Sequence, residues 1–133
     1  MGKLGTRSAL SLSLAGSDND VLLEDADALG AVLDGALAHA KFVVVGRLAH
    51  TFSDPTAVTV ARILAESHAV AHSWPEHRML TVDIFSCAAD DRTEAFIQAL
   101  TELTKTTVVA RTDDPVLDSS AGPRFALRVR PGS

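Results

Sequence analysis

The chain has a single cysteine, Cys87, among 133 residues. That excludes an intramolecular disulfide framework and fits a reducing, cytoplasmic setting. Glycine and proline number only 8 and 5, too few for a disordered or fibrous chain. Runs of Lys or Arg are lacking and the formal net charge is −5, so an electrostatic nucleic-acid footprint is not expected. Apolar stretches long enough to cross a bilayer are also lacking, so no membrane partner is expected. Near the start, Leu10, Leu12 and Leu14 alternate with serines, a strand pattern and not the apolar segment of a signal peptide.

What is present is ordinary for a folded protein: 47% hydrophobic and 22% charged residues, enough for one core and one domain spanning 1–133. Residues 8–14 read as a strand. A turn at Gly16–Asp20 leads into an amphipathic helix over 21–40, where Leu29, Val32, Leu33, Ala36, Leu37 and Ala40 recur at helical spacing. Strands are predicted from Phe42 towards His50 and over 57–64, 67–74 and 79–87. A second helix carries Ala95, Phe96, Ala99, Leu100 and Leu103. Strands near 106–111 and 124–130 close the chain, with Arg128 and Arg130 on a solvent face and a polar loop from Asp113 to Pro123 between them. This order predicts an α+β two-layer sandwich, a mainly antiparallel sheet with two helices on one face. The other face then needs a cover, and a second subunit is the simplest one.

Reactive side chains crowd into one segment: Glu66, Ser67, His68, His72, Trp74, Glu76, His77, Asp83 and Cys87. Several fall on predicted strands, where a polar group costs free energy unless it is paired. His68 and His72, four apart on a strand, stand roughly 13 Å apart and cannot share a metal ion; a Glu-Xaa-Xaa-His signature needs a helix that Pro75 and the alternation argue against. No metal site is expected. Ser67, His72 and Asp83 could supply a hydrolase triad, but no Gly-Xaa-Ser-Xaa-Gly turn surrounds the serine, and no glycine-rich phosphate loop occurs. Taken singly, Ser67 reads as a strand serine, His72 as a core histidine, Cys87 as a buried thiol and Trp74 as packing.

Taken together, three blocks in order, Leu64-Ala65-Glu66-Ser67-His68, His72-Ser73-Trp74-Pro75-Glu76 and Val82-Asp83-Ile84-Phe85-Ser86-Cys87, closely resemble the prokaryotic S-adenosylmethionine decarboxylase proenzymes. His50-Thr51-Phe52 with Pro55 is similar to an upstream element of that family, with one extra residue before the proline. The resemblance implies self-cleavage between Glu66 and Ser67. The Ser67 hydroxyl attacks the Glu66 carbonyl, and elimination and hydrolysis leave chain 1–66 and a chain 67–133 headed by a pyruvoyl group derived from Ser67. That ketone forms a Schiff base with the substrate amine and serves as the electron sink as CO₂ leaves. The resemblance further implies that His72 assists processing, with Thr59 and His68 in support. It makes Cys87 the donor that returns a proton to the substrate carbon, and Phe52, Leu64, Trp74 and Glu76 the binding residues for S-adenosylmethionine, the small-molecule substrate. It also implies a homodimer of cleaved protomers.

Departures from the family pattern lie outside the cleavage chemistry: Thr6-Arg7-Ser8 in place of an N-terminal histidine cluster, His77-Arg78 after Glu76, and Arg62 within an otherwise apolar strand. They leave open a relative with the same machinery acting on arginine or ornithine. A non-catalytic paralogue that regulates an active partner is a further alternative, although it would be expected to have lost Ser67, His72 or Cys87.

Overall fold

The computed structural model describes residues 2–87 and 91–119; the strand predicted over 124–130 lies outside them. Six strands form one antiparallel sheet: β1 (Lys3–Ser13), β2 (Val44–Phe52), β3 (Ala57–Leu64), β4 (Ser67–Trp74), β5 (Met79–Cys87) and β6 (Thr107–Leu117), in the order β2-β3-β4-β5-β1-β6. Two helices, α1 (Ala26–His39) and α2 (Thr93–Thr104), pack on one face. This is the two-layer α+β arrangement that the alternation of apolar residues predicts.

Helix α1 begins where Asp25 can cap it: the carboxylate accepts from the backbone N–H groups of Asp27 and Ala28 at 2.9 and 3.1 Å, satisfying donors that a helix start leaves open. Three residues of the span predicted as α1, Val21, Leu22 and Leu23, instead belong to a separate 3-10 turn, Asp20–Leu23. From the helices, Leu29, Leu33, Leu37, Phe96 and Leu100 meet Leu10, Leu12, Val58, Val60, Ala69, Ala71, Leu80, Val82 and Ile84 from the sheet, all buried. Period-two alternation therefore gives the sheet a covered face and an open one. Over the open face no helix lies among the described residues, and Leu48, Phe52, Ile63 and Trp74 stand exposed on it.

The loop expected from Asp113 is in part strand. β6 continues to Leu117, with Thr6 opposite Pro115 and Arg7 opposite Asp114. Pairing with the long strand β1 overrides the polar composition, and the proline is tolerated because β6 is an edge.

A polar cluster interrupts the covered face near β2 and β3. The Arg62 side chain, 7% exposed, donates from Nε to Asp34 Oδ1 of α1 at 2.7 Å, and Arg47 Nε reaches Asp34 Oδ2 at 3.2 Å. Burial alone would raise the Asp34 pKa, but hydrogen bonds and charge from Arg62 and then Arg47 outweigh it and hold the carboxyl below the usual range. A depressed carboxyl contributes stability that is present above the unfolded pKa and lost as pH falls through the folded one. Asp34→Asn should therefore cost about 2 kcal/mol at pH 7, since removing one partner strands a buried charge. In urea unfolding, the gap from the natural chain should narrow below about pH 4; an equal cost at pH 7 and pH 3 would contradict this.

Candidate active site

The site is organised by the β3–β4 hairpin. Leu64 pairs with Ser67 across a two-residue turn, Ala65-Glu66, and the register then sets Thr59 opposite His72. Glu66 has φ 66°, a left-handed conformation that costs a non-glycine residue about 1 kcal/mol. The strained residue is thus the one that precedes Ser67.

Three features converge at the Glu66–Ser67 peptide. The Ser67 Oγ is buried and has no hydrogen-bond partner among the described residues, a state that costs a hydroxyl roughly 1–3 kcal/mol. The Cys87 thiol, at the end of β5, donates to the Glu66 carbonyl oxygen at 3.2 Å. Next along β4, the exposed His68 ring stacks on Phe85, centroids 6.1 Å apart and planes within 12°. Leu64 is buried in the core, which leaves its backbone as the part available to a ligand.

A second cluster lies further along β4. Thr59 Oγ1 and His72 Nδ1 are 2.5 Å apart. Four rings form a ladder of edge contacts: His50 with Phe52 at 4.6 Å, Phe52 with His72 at 5.8 Å, and His72 with Trp74 at 4.7 Å. The Trp74 indole, 41% exposed, donates from Nε1 to Thr81 Oγ1 at 3.0 Å. A cavity of about 320 Å³ is bounded by Phe52, Pro55, His72, Trp74 and the exposed Glu76. It offers aromatic faces and one carboxylate, a lining suited to a flat or cationic organic group.

The chain does not bring these clusters together. Ser67 and His72 are five residues apart on an extended strand, about 16 Å at 3.3 Å per residue. Alternation also puts the Ser67 side chain on the covered side, with Ala69, Ala71 and Ser73, and His72 on the open side. Cys87 and His72 share the open face, from opposite ends of the hairpin.

Two further residues that the sequence does not single out hold the site. Ser73 accepts from the Val58 N–H at 2.9 Å and donates to the Leu23 carbonyl at 2.6 Å, tying β4 to β3 and to the turn before α1. Thr81 anchors Trp74; its signal in the sequence is only that it shares the open-face alternation of Met79, Asp83 and Phe85. Among the described residues, no group of three or more His, Cys, Asp or Glu side chains is placed to hold a metal ion.

Comparison with known proteins finds that residues 9–113 match the family profile described as S-adenosylmethionine decarboxylase. The chain is 29% identical over 93 residues to the S-adenosylmethionine decarboxylase proenzyme of Sulfurihydrogenibium sp., a match covering 70% of this chain and 67% of that one. It is 34% identical over 76 residues to the proenzyme of the same name from Pyrobaculum aerophilum, covering 56% of this chain and 59% of that one. The matched segments thus take in about three fifths to two thirds of these relatives. The crystal structure of the adenosylmethionine decarboxylase from Aquifex aeolicus superposes with a TM-score of 0.69 at 21% identity, over 88% of this chain and 92% of that one, a likeness of fold.

The strained turn yields a prediction. Glu66→Gly in an uncut chain should raise the unfolding free energy by about 0.5–1 kcal/mol, because glycine adopts φ > 0 without penalty. Unchanged or lowered stability in denaturant titrations would show that the turn holds no strain.

Proposed function

Because the chain belongs to the S-adenosylmethionine decarboxylase family, we propose that it is a proenzyme that cuts itself between Glu66 and Ser67 and then decarboxylates S-adenosylmethionine. The observation that carries the reading is the convergence at one peptide bond of a left-handed Glu66, an unpartnered Ser67 Oγ and a thiol on the Glu66 carbonyl oxygen.

The chemistry follows from those positions. Ser67 Oγ adds to the Glu66 carbonyl carbon and passes its proton to a base, while the Cys87 S–H steadies charge developing on the carbonyl oxygen. Release of the Ser67 nitrogen converts the amide to an ester and relieves the turn. Loss of the Ser67 Cα proton expels the Glu66 carboxylate together with Oγ. One water then replaces the nitrogen, which leaves as ammonia, so that a single domain over 1–133 becomes chains 1–66 and 67–133. The resulting pyruvoyl group supplies a carbonyl that accepts the substrate amine and withdraws electrons as CO₂ departs. Cys87, whose thiol meets the Glu66 carbonyl oxygen on the other side of the scissile bond, is the group that the family resemblance suggests for holding and returning the proton.

His72 is the base that the family resemblance suggests, with Thr59 on its Nδ1 and His68 in support beside the cut, yet His72 cannot reach its own Ser67. A second copy removes the separation along the strand. Two open faces packed about a two-fold axis would set the His72–Thr59 cluster of one chain over the cleavage hairpin of the other, burying Leu48, Phe52, Ile63 and Trp74. We therefore infer a homodimer in which each site draws on both chains.

The same cavity supports the substrate assignment. Phe52 and Trp74 offer faces to a purine and a sulfonium, Glu76 offers acceptors to ribose hydroxyls, and the Leu64 backbone lies beside the cleavage turn. A guanidinium or a distal ammonium would call for a buried acid partner, and Glu76, the cavity's one carboxylate, is exposed. The product is the aminopropyl donor of polyamine, and so spermidine, biosynthesis. No helix among the described residues is long and apolar enough to cross a membrane. The single cysteine, Cys87, suits work in a reducing cytoplasm.

Mass spectrometry of the purified protein should show two fragments, the larger-numbered one beginning with a pyruvoyl group. Ser67→Ala should stay whole, and cleavage at that bond in the variant would refute the nucleophile. Cys87→Ser should still self-process yet lose at least tenfold in CO₂ release from carboxyl-labelled S-adenosylmethionine. Undiminished turnover would remove the thiol from catalysis.

A further inference from the structure

On the opposite side of the sheet from the cavity above, a separate cleft of about 400 Å³ lies between the first turns of α1, the edge strand β2 and its neighbour β3. Its walls are Gly30, Ala31, Asp34, Arg47, Ala49 and Arg62. The small residues on the helix leave open a space that large apolar side chains fill in an ordinary two-layer core.

The polar groups in the cleft are unevenly matched. Both Asp34 oxygens are engaged, Oδ1 by Arg62 Nε and Oδ2 by Arg47 Nε. Arg62 Nη1 donates to the Ala61 carbonyl at 3.0 Å. Arg62 Nη2 has no acceptor among the described residues, although the side chain is 7% exposed. A Cβ on Gly30 would fall 2.4 Å from that nitrogen, so only glycine lets Nη2 lie there. Arg62 Nη2 thus reaches the open space of the cleft without a protein acceptor among the described residues, and a second, more exposed guanidinium from Arg47 lines the same cavity.

We propose that this cleft binds a small monocarboxylate, held by Arg62 Nη2 and the outer nitrogens of Arg47. A planar, singly charged carboxylate matches two guanidinium edges. The cleft's two arginines are matched in formal charge by Asp34 and Asp27, so the lining has no surplus charge for a second anionic group. The exposed Asp27 on the rim disfavours a dianion.

Titration of the ¹⁵N-labelled full-length chain with sodium acetate, against sodium chloride at equal ionic strength, tests this by nuclear magnetic resonance. The Gly30 amide and the Arg62 Nε–H should shift and saturate at millimolar acetate. Arg47→Gln should weaken that titration at least fivefold, as should Gly30→Ala, which displaces Nη2; self-cleavage of Arg47→Gln should match the natural chain. Shifts that fail to saturate, or that persist equally in both variants, would overturn the site. Inorganic phosphate binding more tightly than acetate would overturn the monocarboxylate assignment.

Discussion

The register of the β3–β4 hairpin is the constraint on which the rest depends. Pairing Leu64 with Ser67 across two residues forces Glu66 into the left-handed region, starts β4 at Ser67 and aligns Thr59 with His72. A slip of one residue would turn every side chain of β4 to the other face. It would bury His72 among leucines and lift Ala69 and Ala71 out of the core. The hydrophobic pattern that fixes the core therefore also fixes the chemistry, because one strand carries both.

The two faces of the sheet divide the work. The covered face stabilises the fold through leucines from both layers, and it also carries the ion-pair cluster of Asp34 with Arg62 and Arg47, where a purely apolar face would have been cheaper. The open face gathers His50, Phe52, Thr59, His72, Trp74, Thr81 and Cys87. Exposed aromatic and aliphatic groups there have no role in an isolated protomer's core. Their arrangement makes sense as a surface completed by a second copy.

Much of this was legible in the sequence. Strict alternation gave β4 and β5 to the residue, because a half-buried strand writes its two faces into every second position. The edge strands were harder. β6 runs past Asp113 because β1 offers it a partner, and a long-range pairing leaves no local signature. The ion pair behind Arg62 was visible only as an oddity, since its partner lies on α1. For the site, the motif blocks named the residues and missed their separation. Spacing along the chain shows that Ser67 and His72 cannot meet on an extended strand, a conclusion already reached for His68 and His72 as metal ligands. Glu66 in the left-handed region had no sequence signal, because glycine or asparagine would ordinarily stand there.

The central claim is that each cleavage site is shared between two chains, and complementation tests it most directly. Ser67→Ala and His72→Ala chains, distinguishable by mass, are produced separately and then together, and each is analysed for cleavage at residue 66. The shared-site account predicts that both stay whole alone and that the His72→Ala chain is cut once the Ser67→Ala chain is present. Cleavage of His72→Ala alone at the natural rate, or no cleavage of either chain in the mixed dimer, would contradict it.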